Sequence, residues 1–319
     1  MSAVSRPGGW LGPTRPTVAI EVASGRVTVA SVSPARGRAS LGAYASEPLP
    51  GGAVTPALAG PNVPGRDEVA GALRRALDKA GLRSARRAAL IVPDSVAHVS
   101  LVDLTDVPAR ASDLERLLRW QLRKTLPFPI TEARLSHFVA HAEPGRTTLA
   151  VVLARQDVLG EYEALAAAVD VHAGLVDLSS FNVANAVLAS GTPRGDSLLV
   201  CLSPDTTSLL VLRGDALMFY RHRHSAGDEP VGTLVHQTAM FHVDRLGGTK
   251  FDRVWLAGGS AQPADGGLFR AEIEARLGVA VEPVDVRQIV TTKRATLTAM
   301  DVDALAAPVG VILRDGKAA

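Results

Sequence analysis

The feature that most constrains the fold of this chain is one pattern that occurs in both halves. Residues 17–33, TVAIEVASGRVTVASVS, alternate apolar and polar residues around a short turn at Gly25, which is typical of a β-hairpin. A second group of strands, residues 197–222, SLLVCLSPDTTSLLVLRGDALMFYRH, begins about 180 residues later and again precedes a helical pattern. This spacing indicates two related domains rather than a solenoid. Because each half mixes strands with helices, we predict an α/β fold with a sheet in each domain.

Composition narrows the possible functions. The 319 residues are 47% hydrophobic and 21% charged, and the net charge of +2 gives no support for a nucleic-acid partner. Cys201 is the single cysteine, so no disulfide can form within the chain. No run of about 18 apolar residues predicts insertion into a membrane, and no apolar stretch near Met1 predicts a signal peptide. We therefore expect a cytoplasmic protein whose residues 1–16 form a disordered tail.

The strongest local pattern predicts an amphipathic helix over residues 112–126, SDLERLLRWQLRKTL. Ser112 and Glu115 have the spacing of an N-terminal capping box, and Pro127 is expected to stop the helix. One face carries Leu114, Leu117, Leu118, Gln121 and Leu122, and the basic residues Arg116, Arg119, Arg123 and Lys124 lie elsewhere. These cations could meet acidic lipid headgroups or an acidic protein tail, but a solvated face fits the same pattern.

The remaining patterns suggest where the domains divide. Helices are predicted at 67–80, 157–169, 231–246 and 266–277. Gly81 is expected to C-cap the first, which follows a Pro- and Gly-rich surface loop at 47–66. Ser179 or Ser180 is expected to cap a further helix. We predict a first domain at residues 17–190, with an inserted subdomain at about 96–150. A second domain would follow at 191–316, with a reduced subdomain at about 223–252.

Several ordered motifs resemble one protein family. They are LRWQLRKTLPFPITEARLSHFV at 118–139, VDLSSFNVANAV at 176–187, LAGGSA at 256–261, LGVAVEPVDV at 277–286 and AAPVGVILR at 306–314. As an ordered set they are similar to the PilM-type type IV pilus assembly proteins, which belong to the actin-like ATPase superfamily. The resemblance implies an actin-like (ribonuclease H-like) two-domain fold with duplicated βββαβα-type halves. The subdomain of the second half would be shortened.

The resemblance also implies a partner. Members of this family bind the cytosolic N-terminal tail of PilN, a membrane protein with one span, and are peripheral at the inner membrane through such partners. The tail-binding groove would border the segment after the amphipathic helix, so Leu126, Phe128 and Phe138 are the predicted partner-binding residues. A homo-oligomer is also possible. The related cytoplasmic domain of GspL leaves a type II secretion adaptor open as an alternative.

Actin-like proteins hold ATP between the turns of their two hairpins, and the resemblance places such a site in this chain. Its predicted residues are Glu21, Ser24, Gly25, Thr206, Thr207, Gly258, Gly259 and Ser260. Leu202 replaces the second metal-positioning acid of the family, and Pro204 replaces a glycine and removes an amide donor. We therefore expect a vestigial nucleotide site with no catalytic residue, no metal and no required cofactor. ATP with Mg²⁺ remains possible, which leaves an active ATPase with nucleotide-gated partner binding as an alternative.

Other motifs are weak. GDSLL at 195–199 resembles the start of a GDSL esterase, but its serine begins a strand rather than a turn before a helix. His222 and His224, with His236 and His242 nearby, lack the cysteines or clustered carboxylates that would complete a metal site. A sugar kinase of the same superfamily would need a general-base aspartate, for which the sequence offers no recognisable setting.

Overall fold

The structure is a computed structural model that describes residues 16–33, 38–224, 230–259, 266–292 and 297–313. The first half contains β1 (Val18–Ala23), β2 (Arg26–Ser33), β3 (Ala39–Pro48), α1 (Arg66–Ala80) and β4 (Arg87–Val92). An inserted unit follows with β5 (Ala97–Leu104), α2 (Ala111–Leu122), β6 (Ala133–Glu143) and β7 (Arg146–Arg155). The half ends with α3 (Gln156–Ala167), β8 (His172–Leu178) and α4 (Ser179–Ser190).

The second half repeats this order without the insertion. It contains β9 (Asp196–Leu202), β10 (Thr206–Arg213), β11 (Ala216–His224), α5 (Val231–Leu246), β12 (Arg253–Ala257), α6 (Gly266–Leu277) and β13 (Val281–Pro283). The chain then forms β14 (Val290–Thr292) and α7 (Ala299–Leu313). Predicted helices at 67–80, 157–169, 231–246 and 266–277 all lie within one or two residues of these bounds.

The two large sheets share one topology. The first has the order β14-β3-β2-β1-β4-β8, and the second has the order β11-β10-β9-β12-β13. In both, an antiparallel three-strand meander is extended by strands parallel to its first strand. The inserted unit forms a separate sheet of order β5-β7-β6. Apart from β14, each strand of the first sheet has a counterpart in the second, so the predicted duplication is present.

The core follows from the alternation of side chains along the strands. In β9, Leu198 and Val200 pack with α5 and α6 residues on one face of the second sheet, while Leu199 on the other face joins the core of the first half. Leu209 and Leu210 of β10 divide in the same way. Strands that are apolar on both faces are covered on both sides. One apolar core contains residues of both halves, and a second lies between the second sheet and helices α5 and α6.

The end of the chain returns to the first half. β14 pairs in parallel with β3, and α7 packs against β1, β2 and α4. Gly310 allows the close crossing of α7 and α4, because a Cβ at this position would lie 1.7 Å from the carbonyl oxygen of Asn182. No helix among the described residues combines the length and hydropathy needed to cross a bilayer.

Two predicted helix caps are wrong. Helix α2 begins at Ala111 with Arg110 at the N-cap, so Ser112 lies inside the first turn and no capping box forms with Glu115. Glu115 instead accepts a hydrogen bond from Arg119, at 2.9 Å. The helix also ends at Leu122, and the Thr125 amide donates to the Leu122 carbonyl just after that end. Pro127, five residues after Leu122, is therefore not the residue that stops the helix.

Helix α4 begins one residue earlier than the predicted cap requires. Leu178 is its N-cap, and neither Ser179 nor Ser180 caps it with a side chain. Instead, the Ser179 hydroxyl donates to Glu21 of β1, and the Ser180 amide donates to Asp94 after β4. The segment 49–65 is irregular, as predicted, but it is not wholly at the surface. Val54, Asn62 and Val63 are buried, and Glu161 accepts hydrogen bonds from the amides of Asn62 and Val63.

Candidate functional site

The sequence places its candidate nucleotide-binding residues on the turns of two matching hairpins. In the first half, Ser24 and Gly25 form a two-residue turn between β1 and β2, because Ala23 pairs with Arg26. Gly25 is exposed, and a side chain at this position would meet no atom within 4 Å. The Gly25 carbonyl accepts a hydrogen bond from the amide of Leu49, at 2.9 Å. A larger residue could therefore replace Gly25 without a steric clash at its Cβ.

The second turn is closed by its own backbone. The amide of Ser203 donates to the Thr206 carbonyl at 2.9 Å, and the amide of Thr206 donates to the Ser203 carbonyl at 3.4 Å. Pro204, between them, has no amide hydrogen. Thr207 is buried in β10, paired with Leu202. The amides of Ser203 and Thr206 are thus paired within the turn, and Pro204 has no amide hydrogen to donate.

Glu21 is buried on β1, behind the first turn. Its Oε1 accepts a hydrogen bond from the Ser179 hydroxyl at 2.9 Å, and its Oε2 lies 3.7 Å from Arg26 but has no hydrogen-bond donor within the described residues. Burial raises the pKa of the Glu21 carboxyl, and Arg26 opposes that effect. The nearby carboxylate of Asp94 also raises it. Glu21 therefore connects β1 to the start of α4.

Asp94 joins the two halves and was not singled out from the sequence. It follows β4 and is 8% exposed. One carboxylate oxygen accepts the amide of Ser180 at the start of α4, at 3.1 Å, and the other accepts the hydroxyl of Ser208 on β10, at 2.5 Å. The first N–H groups of a helix lack partners within the helix, so this carboxylate satisfies one of them. The signal that could have revealed Asp94 is an acidic residue directly after a buried parallel strand.

His222 of β11 completes this connection. Its Nδ1 lies 2.9 Å from the Ser208 hydroxyl, and its Nε2 lies 3.0 Å from the hydroxyl of Ser95. Burial lowers the pKa of the His222 side chain, although Asp94 opposes this. His222 thus has a place between the halves rather than in a metal site. The described residues contain no group of three or more His, Cys, Asp or Glu side chains able to hold a metal ion.

The glycines after β12 serve the packing of this region. Gly258 has φ +82°, and a Cβ at this position would lie 2.0 Å from the carbonyl oxygen of Leu202. Its amide donates to Asp303 of α7, at 3.1 Å. Gly259 is less constrained, since a Cβ there would lie 3.4 Å from Leu256. Ser260 lies outside the described residues.

The three predicted partner-binding residues lie in different surroundings. Leu126 is half-buried, and Phe128 is buried in the apolar core of the inserted unit. Phe138 is 42% exposed on β6, and its ring packs edge-on against Phe181 of α4, with centroids 5.5 Å apart. Phe181 in turn contacts Tyr220 of β11. Phe138 therefore lies where the inserted unit, α4 and the second half meet.

Comparison with protein families decides the membership of the chain. Residues 19–245 match the family described as type IV pilus assembly protein PilM. The chain belongs to the PilM family. A search of curated proteins finds no match.

Among solved structures, the PilM family fold is found in one described as a PilM-PilN type IV pilus biogenesis complex. This chain is 17% identical to it with a TM-score of 0.80, over 95% of this chain and 99% of the other. A Bacteroides thetaiotaomicron protein with an actin-like ATPase fold is 7% identical, with a TM-score of 0.48 over 91% and 94% of the two chains. The cytoplasmic domain of Vibrio cholerae EpsL, an inner membrane component of the type II secretion system, is 12% identical with a TM-score of 0.44, over 75% and 80%.

The predicted fold class and family are confirmed. The duplicated sheets with a shared strand order, together with the match over nearly the whole length of a PilM structure, give this PilM-family chain the expected actin-like α/β fold. The predicted site residues remain predictions, and so do the domain boundaries. Helix α7 lies within the predicted second domain in sequence but packs on the first sheet.

Proposed function

We propose that this PilM-family protein is a cytoplasmic adaptor of type IV pilus assembly that binds the cytosolic tail of a PilN-like inner-membrane protein and does not depend on nucleotide hydrolysis. The observation that carries the proposal is the family match together with the likeness to a PilM in complex with PilN, over 95% of this chain. The adaptor would be held at the inner membrane by its partner.

The inserted unit supports the location of the tail-binding surface. β6 pairs with β7 and forms an edge of the three-stranded sheet, so one side of its backbone has no strand neighbour within the described residues. On this strand Phe138 is 42% exposed and Val139 is 58% exposed. An exposed strand edge beside apolar side chains is the arrangement that accepts an extended peptide as an added strand. Leu126 and Phe138 would border the bound tail, and Phe128 would support the surface from within the core.

The geometry of the two turns supports loss of nucleotide turnover. Bound ATP needs backbone donors for its phosphates and a carboxylate for its metal ion. In the second turn, the Ser203 and Thr206 amides are paired with each other, and Pro204 has no donor. Leu202 stands where the second acid would be, and Glu21 is buried in contact with Ser179. The donor set fits a bound triphosphate poorly, so we assign no catalytic step to it.

The first experiment measures binding of the full chain to the cytosolic tail peptide of a PilN-like protein from the same organism. Val139→Asp places a charge on the exposed side of β6, and we expect it to weaken binding by about tenfold or more. Leu268→Asp is the matched control, because Leu268 is 67% exposed on α6, away from the proposed surface, and should bind normally. Equal loss in both variants, or no loss in Val139→Asp, would contradict the proposed location.

The rival function, a working ATPase, is tested separately by phosphate release. We expect no turnover above that of a Glu21→Ala variant, since neither turn supplies a complete phosphate site. Turnover by the natural chain that disappears in Glu21→Ala would overturn the non-catalytic proposal, while leaving the partner assignment intact.

A further inference from the structure

Helix α2 has an exposed face that the proposed function does not use. Leu114, Leu118 and Leu122 are buried in the core of the inserted unit, so the opposite side of the helix faces solvent. Trp120 lies on that side and is 61% exposed. A tryptophan this exposed leaves a large apolar ring in water, which is unfavourable unless something covers it.

The charge around Trp120 is positive. Residues 110–124 contain five cations, Arg110, Arg116, Arg119, Arg123 and Lys124, and two carboxylates, Asp113 and Glu115. Both carboxylates are already paired within the helix. Arg116 donates to Asp113 at 2.8 Å, and Arg119 donates to Glu115 at 2.9 Å. The excess positive charge therefore belongs to Arg110, Arg123 and Lys124.

One of these cations adjoins the exposed ring. The Arg123 guanidinium lies over Trp120, 4.8 Å from the ring centroid, and Lys124 follows it in sequence and is exposed. The aliphatic stems of Arg and Lys can lie along an apolar surface while their charged ends stay in water. A tryptophan flanked by such cations has the composition found at the headgroup level of bilayers, where the indole occupies the interface and the cations meet anionic headgroups.

We propose that the α2 face, defined as Trp120, Arg123 and Lys124, docks on an anionic lipid surface. A second copy of this chain fits less well, because apposing two α2 faces would bring like charges together. The inference does not rest on the proposed function, since lipid contact requires neither PilN nor nucleotide. It would give the protein a direct contact with the membrane in addition to the one through its partner.

The test is sedimentation of the full chain with vesicles. We expect binding to mixed phosphatidylcholine and phosphatidylglycerol vesicles, weaker binding to phosphatidylcholine alone, and loss of binding as salt is raised. Arg123→Glu with Lys124→Glu should reduce the partition into anionic vesicles by about tenfold or more. The matched control is Arg245→Glu with Lys250→Glu, which makes the same change of charge at exposed positions of the second half and should bind as the natural chain does.

Fluorescence locates the contact. The chain has three tryptophans, of which Trp255 is 3% exposed and Trp10 lies outside the described residues. In a Trp10→Phe background, anionic vesicles should shift the emission to the blue, and brominated lipids should quench it. Both effects should vanish in Trp120→Phe.

Three results would overturn the inference. The first is equal binding by the two charge-reversed variants, and the second is binding without any change in Trp120 emission. The third is capture by polyglutamate or self-association through Trp120 in sedimentation velocity, with no binding to vesicles. That outcome would assign the face to an acidic peptide or to a second copy. Tail-peptide binding, measured on the same variants, stays normal in all three cases unless the proposed function is itself wrong.

Discussion

Glu21 and Glu47 are two buried carboxylates of one sheet whose pKa values shift in opposite directions. Glu21 on β1 lies 3.7 Å from Arg26, and its burial raises the pKa of the carboxyl. Glu47 on β3 is also buried, but Lys79 and Arg75 contact it, and the hydrogen bond from Lys79 is the main reason that its pKa is lowered. The sequence shows two glutamates on strands and cannot distinguish them, because the difference depends on α1, which packs against β3.

This contrast predicts opposite effects of removing the charge. A raised pKa means that the folded protein holds a proton on Glu21 more tightly than the unfolded chain does, so stability falls as pH rises above the ordinary value of 4.5. Glu21→Gln keeps an acceptor for Ser179 and should stabilise the protein at neutral pH by on the order of 1 kcal/mol. The gain should shrink as the pH falls toward 4.5.

The control is Glu47→Gln, measured by urea denaturation over the same pH range. Its lowered pKa contributes stability above pH 4.5 that is lost as the pH falls below that value, so this variant should be destabilised at neutral pH and approach the natural chain in acid. Destabilisation by Glu21→Gln at neutral pH would show that the Arg26 contact outweighs the burial of the carboxylate.

Asp94 marks the limit of reasoning from sequence at the residue scale. An aspartate in IVPDS has many ordinary explanations, and its two hydrogen-bond partners, Ser180 and Ser208, are 86 and 114 residues away in sequence. Pro204 is different, because its missing amide is visible in the sequence itself. A missing donor can thus be read from a single residue, whereas contacts between distant segments require the fold.

The elements were largely predictable from local patterns, and their ends were not. Alternation and helical periodicity gave the hairpins, α1, α3, α5 and α6, since each buries one regular face. The predicted caps of α2 and α4 were wrong. Ser112 lies inside the first turn of α2, and Ser179 is the first residue of α4 rather than its cap. Ser179 donates to Glu21, a contact 158 residues away in sequence. Capping preferences are worth about 1 kcal/mol, so one tertiary hydrogen bond can displace them.

At this scale we predict that Gly310→Ala is strongly destabilising. The added Cβ would meet the Asn182 carbonyl oxygen at 1.7 Å, and backbone atoms of a packed helix cannot move aside cheaply. We expect a loss of about 3 kcal/mol or more in the free energy of unfolding. Gly160→Ala in α3 is the matched control, because no atom lies within 4 Å of its added Cβ, and helix propensity should make it neutral or slightly stabilising. Similar stability of both variants would contradict the close crossing of α4 and α7.

At the scale of the whole molecule, the repeat in the sequence predicted the duplicated sheets, but it could not predict how the chain ends. The segment after β13 is short and largely polar, yet β14 joins the first sheet and α7 packs on it. Such pairings over some 250 residues depend on a core shared by both halves and leave no local pattern. For the same reason the contacts of Asp94 with Ser180 and Ser208, which hold the halves together, appear only in the fold.

The central proposal is that two halves of matching topology form a partner-binding scaffold that does not depend on nucleotide turnover. The most direct test is a calorimetric titration of the full chain with the cytosolic tail peptide of a PilN-like protein from the same organism, in the presence and absence of Mg-ATP. We predict saturable binding with the same affinity in both conditions and no heat from Mg-ATP alone. Binding that requires Mg-ATP, or micromolar binding of Mg-ATP itself, would contradict the account.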